Sequence, residues 1–135
     1  MLSIIYVSVA DPALDEAEIE AIVAHSGANN SVRGLTGILL YNGFNFLQCL
    51  EGDDAAVNAC FERIAVDPRH SGVTIVSRKP LAAREFSVWS MRFGRISGVQ
   101  DFDDPSFLSL SAASEDTKQI ISNFLQIAAA KKPRS

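Results

Sequence analysis

The chain has 135 residues, of which 47% are hydrophobic and 21% charged, and its formal net charge is −4. This length and apolar content fit one compact domain with a real core and disfavour disorder. No apolar run is long enough to cross a membrane and the first residues lack a secretory signal, so we expect a cytoplasmic protein. The two cysteines, Cys49 and Cys60, are too few for a disulfide framework or a thiolate metal site.

Charge is distributed unevenly along the chain. Residues 1–62 carry nine acidic groups and one basic group, whereas residues 63–100 carry seven basic groups and two acidic groups. A basic segment can attract an anion such as a phosphate, although a solvated strand and loop surface is the more common explanation. The negative total charge and the lack of a basic helix disfavour nucleic-acid binding.

The N-terminal third predicts a strand followed by a helix. Apolar residues on both faces of residues 2–9 indicate a largely covered strand. Asp15 with Glu18 three residues later is typical of a helix start, and Ile19, Ile22 and Val23 provide an apolar stripe. We expect this helix to end near Ser26-Gly27 and residues 29–31 to form a loop.

The middle of the chain predicts a hairpin, a second helix and two more strands. Asn42-Gly43 is a strong turn signal between strands at residues 35–41 and 44–50. A helix then starts at residues 52–54 and stops at Asp67-Pro68. Strands follow at residues 73–76 and 86–93. The helix carries its apolar stripe on Val57, Cys60, Phe61 and Ile64.

The resulting βαββαββ order is typical of an α+β, ferredoxin-like sheet with two helices on one face. A C-terminal amphipathic helix is predicted to cover the other face, after a short helical or irregular piece at residues 104–110. We therefore expect one domain at residues 1–95, a helical extension packed on the sheet at residues 96–135, and no separate effector domain. The stripe of the last helix is Ile120, Ile121, Phe124, Leu125 and Ala128.

Gln48 and Tyr6 do not fit a purely apolar core. Gln48 shares its predicted strand face with apolar residues, and a buried amide without partners costs about 1–3 kcal/mol, so a polar group is expected beside it. In a ferredoxin-like sheet the first and third strands are neighbours, which brings Tyr6 close to Gln48. Each is either a satisfied core residue or a contact to a ligand, and Tyr6 would then be a redox or proton donor.

For the other candidate residues, each one taken alone gives weaker evidence of a functional role. Trp89 and Met91 share a face of the fifth strand and by default belong to the core. The pair Asn29-Asn30 is typical of an ordinary loop. The alternative is that its two amides hold the edge of a planar heterocycle. The chain has no glycine-rich phosphate loop, no metal spacing around His25 or His70, and no nucleophile set.

Five segments, taken together and in order, resemble the BLUF family, the blue-light sensors that use FAD. The resemblance covers roughly residues 2–95. The matching pieces are Ile5-Tyr6, Asn29-Asn30 with Leu35-Thr36-Gly37, residues 46–52 (Phe-Leu-Gln-Cys-Leu-Glu-Gly), Arg63-Ile64 with Asp67 and Arg69-His70, and residues 86–91 (Phe-Ser-Val-Trp-Ser-Met).

The resemblance implies that FAD lies between the two helices. Ile22 and Ile64 would flank the isoalloxazine ring, and Asn30, with Asn29 beside it, would hold the ring's polar edge. Gln48 would contact the flavin directly. Weaker candidates for the ring or the ribityl-phosphate side are Arg63, Asp67 and His70.

It also implies photochemistry without catalytic turnover. Blue light would draw an electron and a proton from Tyr6 to the flavin, and the Gln48 amide would then rotate or change tautomer. The resulting red-shifted state would recover in the dark. Trp89 and Met91 on the fifth strand, with the C-terminal helix, would pass the signal to a protein partner or to a homodimer or higher oligomer. With no effector domain, the chain would be a short, stand-alone BLUF protein.

Two other functions remain open on the residues alone, because this architecture hosts many functions. One is a flavin-dependent oxidoreductase that works in the dark, which steady flavin reduction by a nicotinamide would reveal. The other is a ligand-free interaction module, which would purify colourless and take up no FAD.

Overall fold

The computed structural model of the chain describes residues 1–86, 92–95 and 114–130. Strands and helices follow the predicted βαββαββ order, and the described residues end in a long helix. In chain order the elements are β1 (Leu2–Ala10), α1 (Glu16–Arg33), β2 (Thr36–Tyr41), β3 (Asn45–Gly52), α2 (Asp54–Ala65), β4 (His70–Pro80), β5 (Arg92–Arg95) and α3 (Glu115–Ala130).

The strands form one sheet in the order β4-β1-β3-β2-β5. Central strand β1 is antiparallel to both β3 and β4, and β2 is antiparallel to β3 but parallel to β5. This arrangement confirms the α+β, ferredoxin-like fold. It also confirms that the first and third strands are neighbours.

Helices lie on both faces of the sheet. Side chains alternate across β3, so that Phe46 and Leu50 pack toward α1 and α2 while Leu47 and Cys49 pack toward α3. The predicted cover for the second face is confirmed, because Ile121 and Phe124 of α3 are buried there. The cluster on that face is Ile5, Ile38, Leu40, Leu47, Cys49, Phe86, Ile121 and Phe124.

Helix α1 is longer than predicted. Its start is confirmed by a capping box between Asp15 and Glu18, but the predicted end near Ser26-Gly27 and the predicted loop at 29–31 are wrong. A glycine inside a helix costs only about 0.5–1 kcal/mol, so Gly27 does not stop it. Gly34 stops it instead, because its φ of 70° provides a left-handed cap, which glycine adopts without strain.

Strand bounds also differ from the prediction. Strand β4 spans His70–Pro80 instead of 73–76, because it pairs with β1 along nearly its whole length. The fifth strand was predicted at 86–93, but the structure places Phe86 in a bend, and the described part of β5 is Arg92–Arg95. Residues 87–91 and the predicted piece at 104–110 lie outside the described residues.

Within the described residues, no helix is both long and apolar enough to span a membrane.

Gly37 is required where β2 and β3 approach closely. A Cβ there would lie 1.8 Å from the carbonyl oxygen of Cys49, whereas a Cβ at Gly27 would have nothing within 4 Å. We therefore expect Gly37→Ala to lower the free energy of unfolding by about 3 kcal/mol. The control Gly27→Ala should raise it by about 0.5–1 kcal/mol, since alanine favours the helix. Urea denaturation measures both, and equal stabilities of the two variants would contradict this account of the sheet.

Candidate functional site

A cleft lies between helices α1 and α2, above the face of the sheet that these helices cover. It consists of two adjoining cavities whose empty space, open mouths included, is about 380 Å³ and 540 Å³. The residues that line both cavities are Ser26, Gln48, Ile64, Asp67 and Arg69.

The structure brings the predicted site residues together at this cleft. The first cavity is lined by Tyr6, Ile22 and His70, and the second by Asn29, Asn30 and Arg63. Gln48, Ile64 and Asp67 contribute to both. The two remaining predicted residues, Trp89 and Met91, lie outside the described residues.

Tyr6 and Gln48 form a buried pair in the cleft wall. They are directly opposite each other in the β1–β3 register, and the Tyr6 hydroxyl donates a hydrogen bond to Oε1 of Gln48. Both residues are only 3% exposed. Burial raises the pKa of Tyr6 far above its usual value, with smaller contributions from Cys60 and Asp67, so the phenol stays protonated at neutral pH. The expectation of a polar partner beside Gln48 is confirmed.

His70 is fixed by hydrogen bonds on both ring nitrogens. Its Nε2 lies 2.6 Å from the carbonyl oxygen of Ile64, and its Nδ1 lies 2.7 Å from the Ser8 hydroxyl. A carbonyl oxygen only accepts, so Nε2 carries the proton, and in the neutral ring Nδ1 accepts from Ser8. The ring also stands edge-on to Tyr6, with centroids 6.1 Å apart. His70 thus ties the end of α2 to β1 beside the phenol.

A tight turn after α2 supplies an ion pair to the cleft. Asp67 accepts hydrogen bonds from the backbone nitrogen and Nε of Arg69, both at 2.9 Å, and a further one from Nη2. The Arg69 side chain lowers the pKa of Asp67 below its usual value, although partial burial acts in the opposite direction. The carboxylate is therefore ionised at neutral pH, and the pair presents both signs of charge at the mouth of the cleft.

Helical spacing explains how α1 forms one wall of the cleft. On α1, Ile22 and Ser26 are four residues apart and Asn29 and Asn30 follow in the next turn, so they share one face. Asn30 is 1% exposed, and its backbone carbonyl accepts the nitrogen of Leu35 at 2.8 Å. Because α1 extends to Arg33, both asparagines lie in its last two turns.

Several residues that line the cleft were not predicted from the sequence. Ser26 was detectable by its spacing from Ile22 on the same helix face. Arg69 was detectable by its position two residues after Asp67, across Pro68, where a turn brings the two charges together. The strand and helix packing that brings in the others has no comparable local signal. The others are His25, Leu39, Phe46 and Cys60.

A model of the BLUF family, described as sensors of blue-light using FAD, matches residues 1–92. The chain belongs to the BLUF family. FAD is therefore the cofactor of its family, and the BLUF match spans β1 through the first residue of β5.

Known BLUF proteins and their relatives resemble the chain in sequence and in structure. The dark-state structure of BlrB, a BLUF protein, superposes with a TM-score of 0.73 at 32% identity, covering 96% of each chain. The blue light- and temperature-regulated antirepressor BluF of Escherichia coli is 35% identical over 86 residues, 64% of this chain and 19% of that protein. Subunit alpha of the photoactivated adenylate cyclase of Euglena gracilis is 31% identical over 90 residues, 66% of this chain and 9% of that protein.

The ion pair at the mouth of the cleft should give the chain a defined pH dependence. Because the pKa of Asp67 is lowered in the folded state, its stabilisation is present above about pH 4 and is lost as the pH falls through the lowered value. At pH 7, Asp67→Asn should lower the free energy of unfolding by no more than about 1 kcal/mol, since the pair is partly exposed. The difference from the parent protein should shrink below about pH 4.

The control is Asp11→Asn. Asp11 accepts the same kind of backbone hydrogen bond, from Ala13 at 2.9 Å, but the residue two positions later is alanine instead of arginine. Urea denaturation at a series of pH values compares the two variants. Identical losses with identical pH profiles would show that Arg69 contributes nothing to the turn.

Proposed function

We propose that the chain is a blue-light photoreceptor that holds FAD in the cleft between α1 and α2 and switches by rearranging the hydrogen bonds of Gln48. The observation that carries this proposal is the buried Tyr6–Gln48 hydrogen bond in the wall of the cleft. A protonated phenol and an amide in contact provide an electron donor, a proton and a reorientable acceptor at one place.

The chemistry of the lining fits a flavin. Ile22 and Ile64 offer apolar surface from opposite helices, which suits the faces of a planar ring. The amides of Asn29, Asn30 and Gln48 supply donors and acceptors, which suit the carbonyl and imide groups at its edge. We assign these five residues to the ring.

Cationic groups at the second cavity fit the rest of the cofactor. Arg63 and Arg69 both line it, and guanidinium groups pair well with phosphate oxygens. We assign Arg63, with Asp67 and His70 positioning the turn, to the ribityl-phosphate side. Two of the seven basic residues between positions 63 and 100 therefore lie at this cavity.

The switch follows from the properties of Tyr6 and Gln48. When bound, the flavin supplies the absorption of blue light and an excited state that accepts an electron. Loss of an electron from Tyr6 makes its hydroxyl proton strongly acidic, and Oε1 of Gln48 is the acceptor already in place. The two ends of an amide have opposite hydrogen-bonding character, so rotation or a change of tautomer reverses what Gln48 offers to its neighbours. Either change persists after the electron and the proton have returned to Tyr6.

The light signal would pass to the face of the sheet that α3 covers. We propose that residues 1–95 form the sensor, that residues 96–135 form an extension that carries the signal, and that Trp89 and Met91 of the sensor pass the signal to it. The Escherichia coli relative is named an antirepressor, and the Euglena relative a cyclase subunit, so relatives couple to different effectors. For this chain we propose a protein partner or a second copy as the recipient, with no catalytic turnover of its own.

An absorption spectrum of the purified protein before and after blue light tests the function. We expect a flavin spectrum that shifts slightly to the red on illumination and returns in the dark. Steady bleaching by a reduced nicotinamide without light would instead indicate a flavin-dependent oxidoreductase. A colourless protein that takes up no added FAD would indicate a ligand-free interaction module.

Tyr6→Phe tests the donor. The variant keeps the ring but loses the hydroxyl that bonds Gln48, so flavin binding should be retained and the reversible red shift should disappear. Tyr41→Phe is the matched control, because Tyr41 is the other tyrosine of the chain and packs on Phe46 at a centroid distance of 4.9 Å. It should keep both properties. A normal photocycle in Tyr6→Phe would remove Tyr6 from the mechanism.

A further inference from the structure

A second buried polar cluster lies on the face of the sheet opposite the cleft. The Glu51 side chain is 0% exposed and accepts three hydrogen bonds: from the Thr36 hydroxyl at 2.7 Å, the Glu85 nitrogen at 2.9 Å and the Phe86 nitrogen at 2.7 Å. A carboxylate is tolerated in an interior only when its oxygens are bonded in this way. Glu51 therefore fixes the backbone at residues 85 and 86 to the end of β3.

The Glu85 side chain continues from there to the first turn of α3. It is 5% exposed and accepts from the Ser114 nitrogen at 2.7 Å and the Thr117 hydroxyl at 2.8 Å. The Lys79 ammonium lies 3.4 Å away. Burial alone would raise the pKa of Glu85, but these hydrogen bonds and the lysine bring it below its usual value, so the group is ionised. An anion suits this position, because helix N-termini carry partial positive charge.

Ser114 completes the first turn of the helix. Its hydroxyl accepts a hydrogen bond from the Thr117 nitrogen at 3.2 Å, which is the geometry of an N-terminal cap. It also accepts a hydrogen bond from Nζ of Lys79 at 2.8 Å. Glu85, Lys79 and Ser114 thus join the segment before β5, the edge strand β4 and helix α3 at one point.

Strand β3 connects this cluster to the photoactive pair. Side chains alternate along a strand, so Gln48 faces the cleft while Glu51, three residues later, faces the same side as Cys49 and α3. We propose that Glu51 and Glu85 form a two-carboxylate latch that holds the first turn of α3 to the strand carrying Gln48, so that a rearrangement at Gln48 changes how firmly α3 is docked. The light-dependent half of this proposal, that Gln48 changes the docking, rests on the proposed function. The docking half, that Glu51 and Glu85 hold α3, does not.

The latch suits this task because its contacts are short and directional. Hydrogen bonds weaken steeply with distance and angle, whereas apolar packing such as that of Ile121 and Phe124 is non-directional. A small displacement of β3 moves Glu51 together with the backbone of 85 and 86, and it therefore moves the Glu85 carboxylate relative to Ser114. Such a displacement therefore changes the hydrogen bonds of the first turn of α3.

Hydrogen–deuterium exchange of the α3 amides in the dark tests the docking half. Glu85→Gln removes the charge and one acceptor, so we expect exchange in the first turns of α3 to quicken by about tenfold or more. The matched control is Glu115→Gln, the same change in the first turn of the same helix at a side chain that is 93% exposed. If both variants exchange at the parent rate, Glu85 does not hold the helix and the latch is wrong.

A second variant keeps the test decisive if circular dichroism shows that Glu85→Gln is misfolded. Thr117→Val preserves the charge and the shape but removes the hydroxyl that donates to Glu85. It should also quicken α3 exchange relative to Glu115→Gln. Exchange at the parent rate in a folded Thr117→Val would likewise overturn the latch.

Repeating the exchange measurement under blue light tests the coupling. The parent protein should show a light-induced change in α3 exchange, and Glu85→Gln should show the same flavin red shift with that change reduced or lost. A full light-induced change in Glu85→Gln would show that the signal does not pass through the latch. If the parent shows no red shift, the proposed function fails, and the comparison in the dark still decides whether the latch exists.

Discussion

The structure depends above all on the register of β1 against β3. Tyr6 opposite Gln48 is one pair in this ladder, with Ile4 opposite Leu50 on one side and Ser8 opposite Phe46 on the other. Since side chains alternate, a slip of one residue would turn the Gln48 amide into the apolar cluster beneath α3. A buried amide and a buried phenol without partners each cost about 1–3 kcal/mol. The site therefore reinforces the pairing that creates it.

Strand β3 carries buried polar groups on both faces of the sheet. Gln48 is satisfied by Tyr6 on the cleft side, and Glu51 by Thr36 and the backbone of residues 85 and 86 on the other. An apolar residue at either position would pack without such partners. Both groups require particular neighbours, and each therefore fixes the position of a segment that is distant in sequence. The same strand therefore positions Gln48 in the cleft wall and, through Glu51, the segment whose Glu85 bonds the C-terminal helix.

Local patterns predicted most of the fold and the central pair of the site. Alternation identified β1 and β3, and Asn42-Gly43 identified the hairpin that links β2 to β3. The end of α1 was missed because Gly27 and Gly34 look equally able to stop a helix, and only the backbone conformation at Gly34 distinguishes them. The extent of β4 was missed because edge strands lack a buried apolar face, and its pairing with β1 is a long-range property. Glu51 was visible in the sequence, but its role depends on partners at residues 36, 85 and 86 that no local spacing reveals.

The two faces of the sheet suggest why a light signal would be carried by backbone instead of by a chain of side chains. Gln48 lies on one side and Glu51 on the other, so no single side chain spans the sheet between them. What they share is the backbone of residues 48–51, which is bonded on both sides, to β1 and to β2. Along this route, a new hydrogen bond at Gln48 would therefore reach α3 by shifting this strand or its register partners. In the proposed latch, the carboxylate contacts at the far end of the strand would convert such a shift into a change in helix docking, because hydrogen bonds depend more steeply on distance and angle than apolar contacts do.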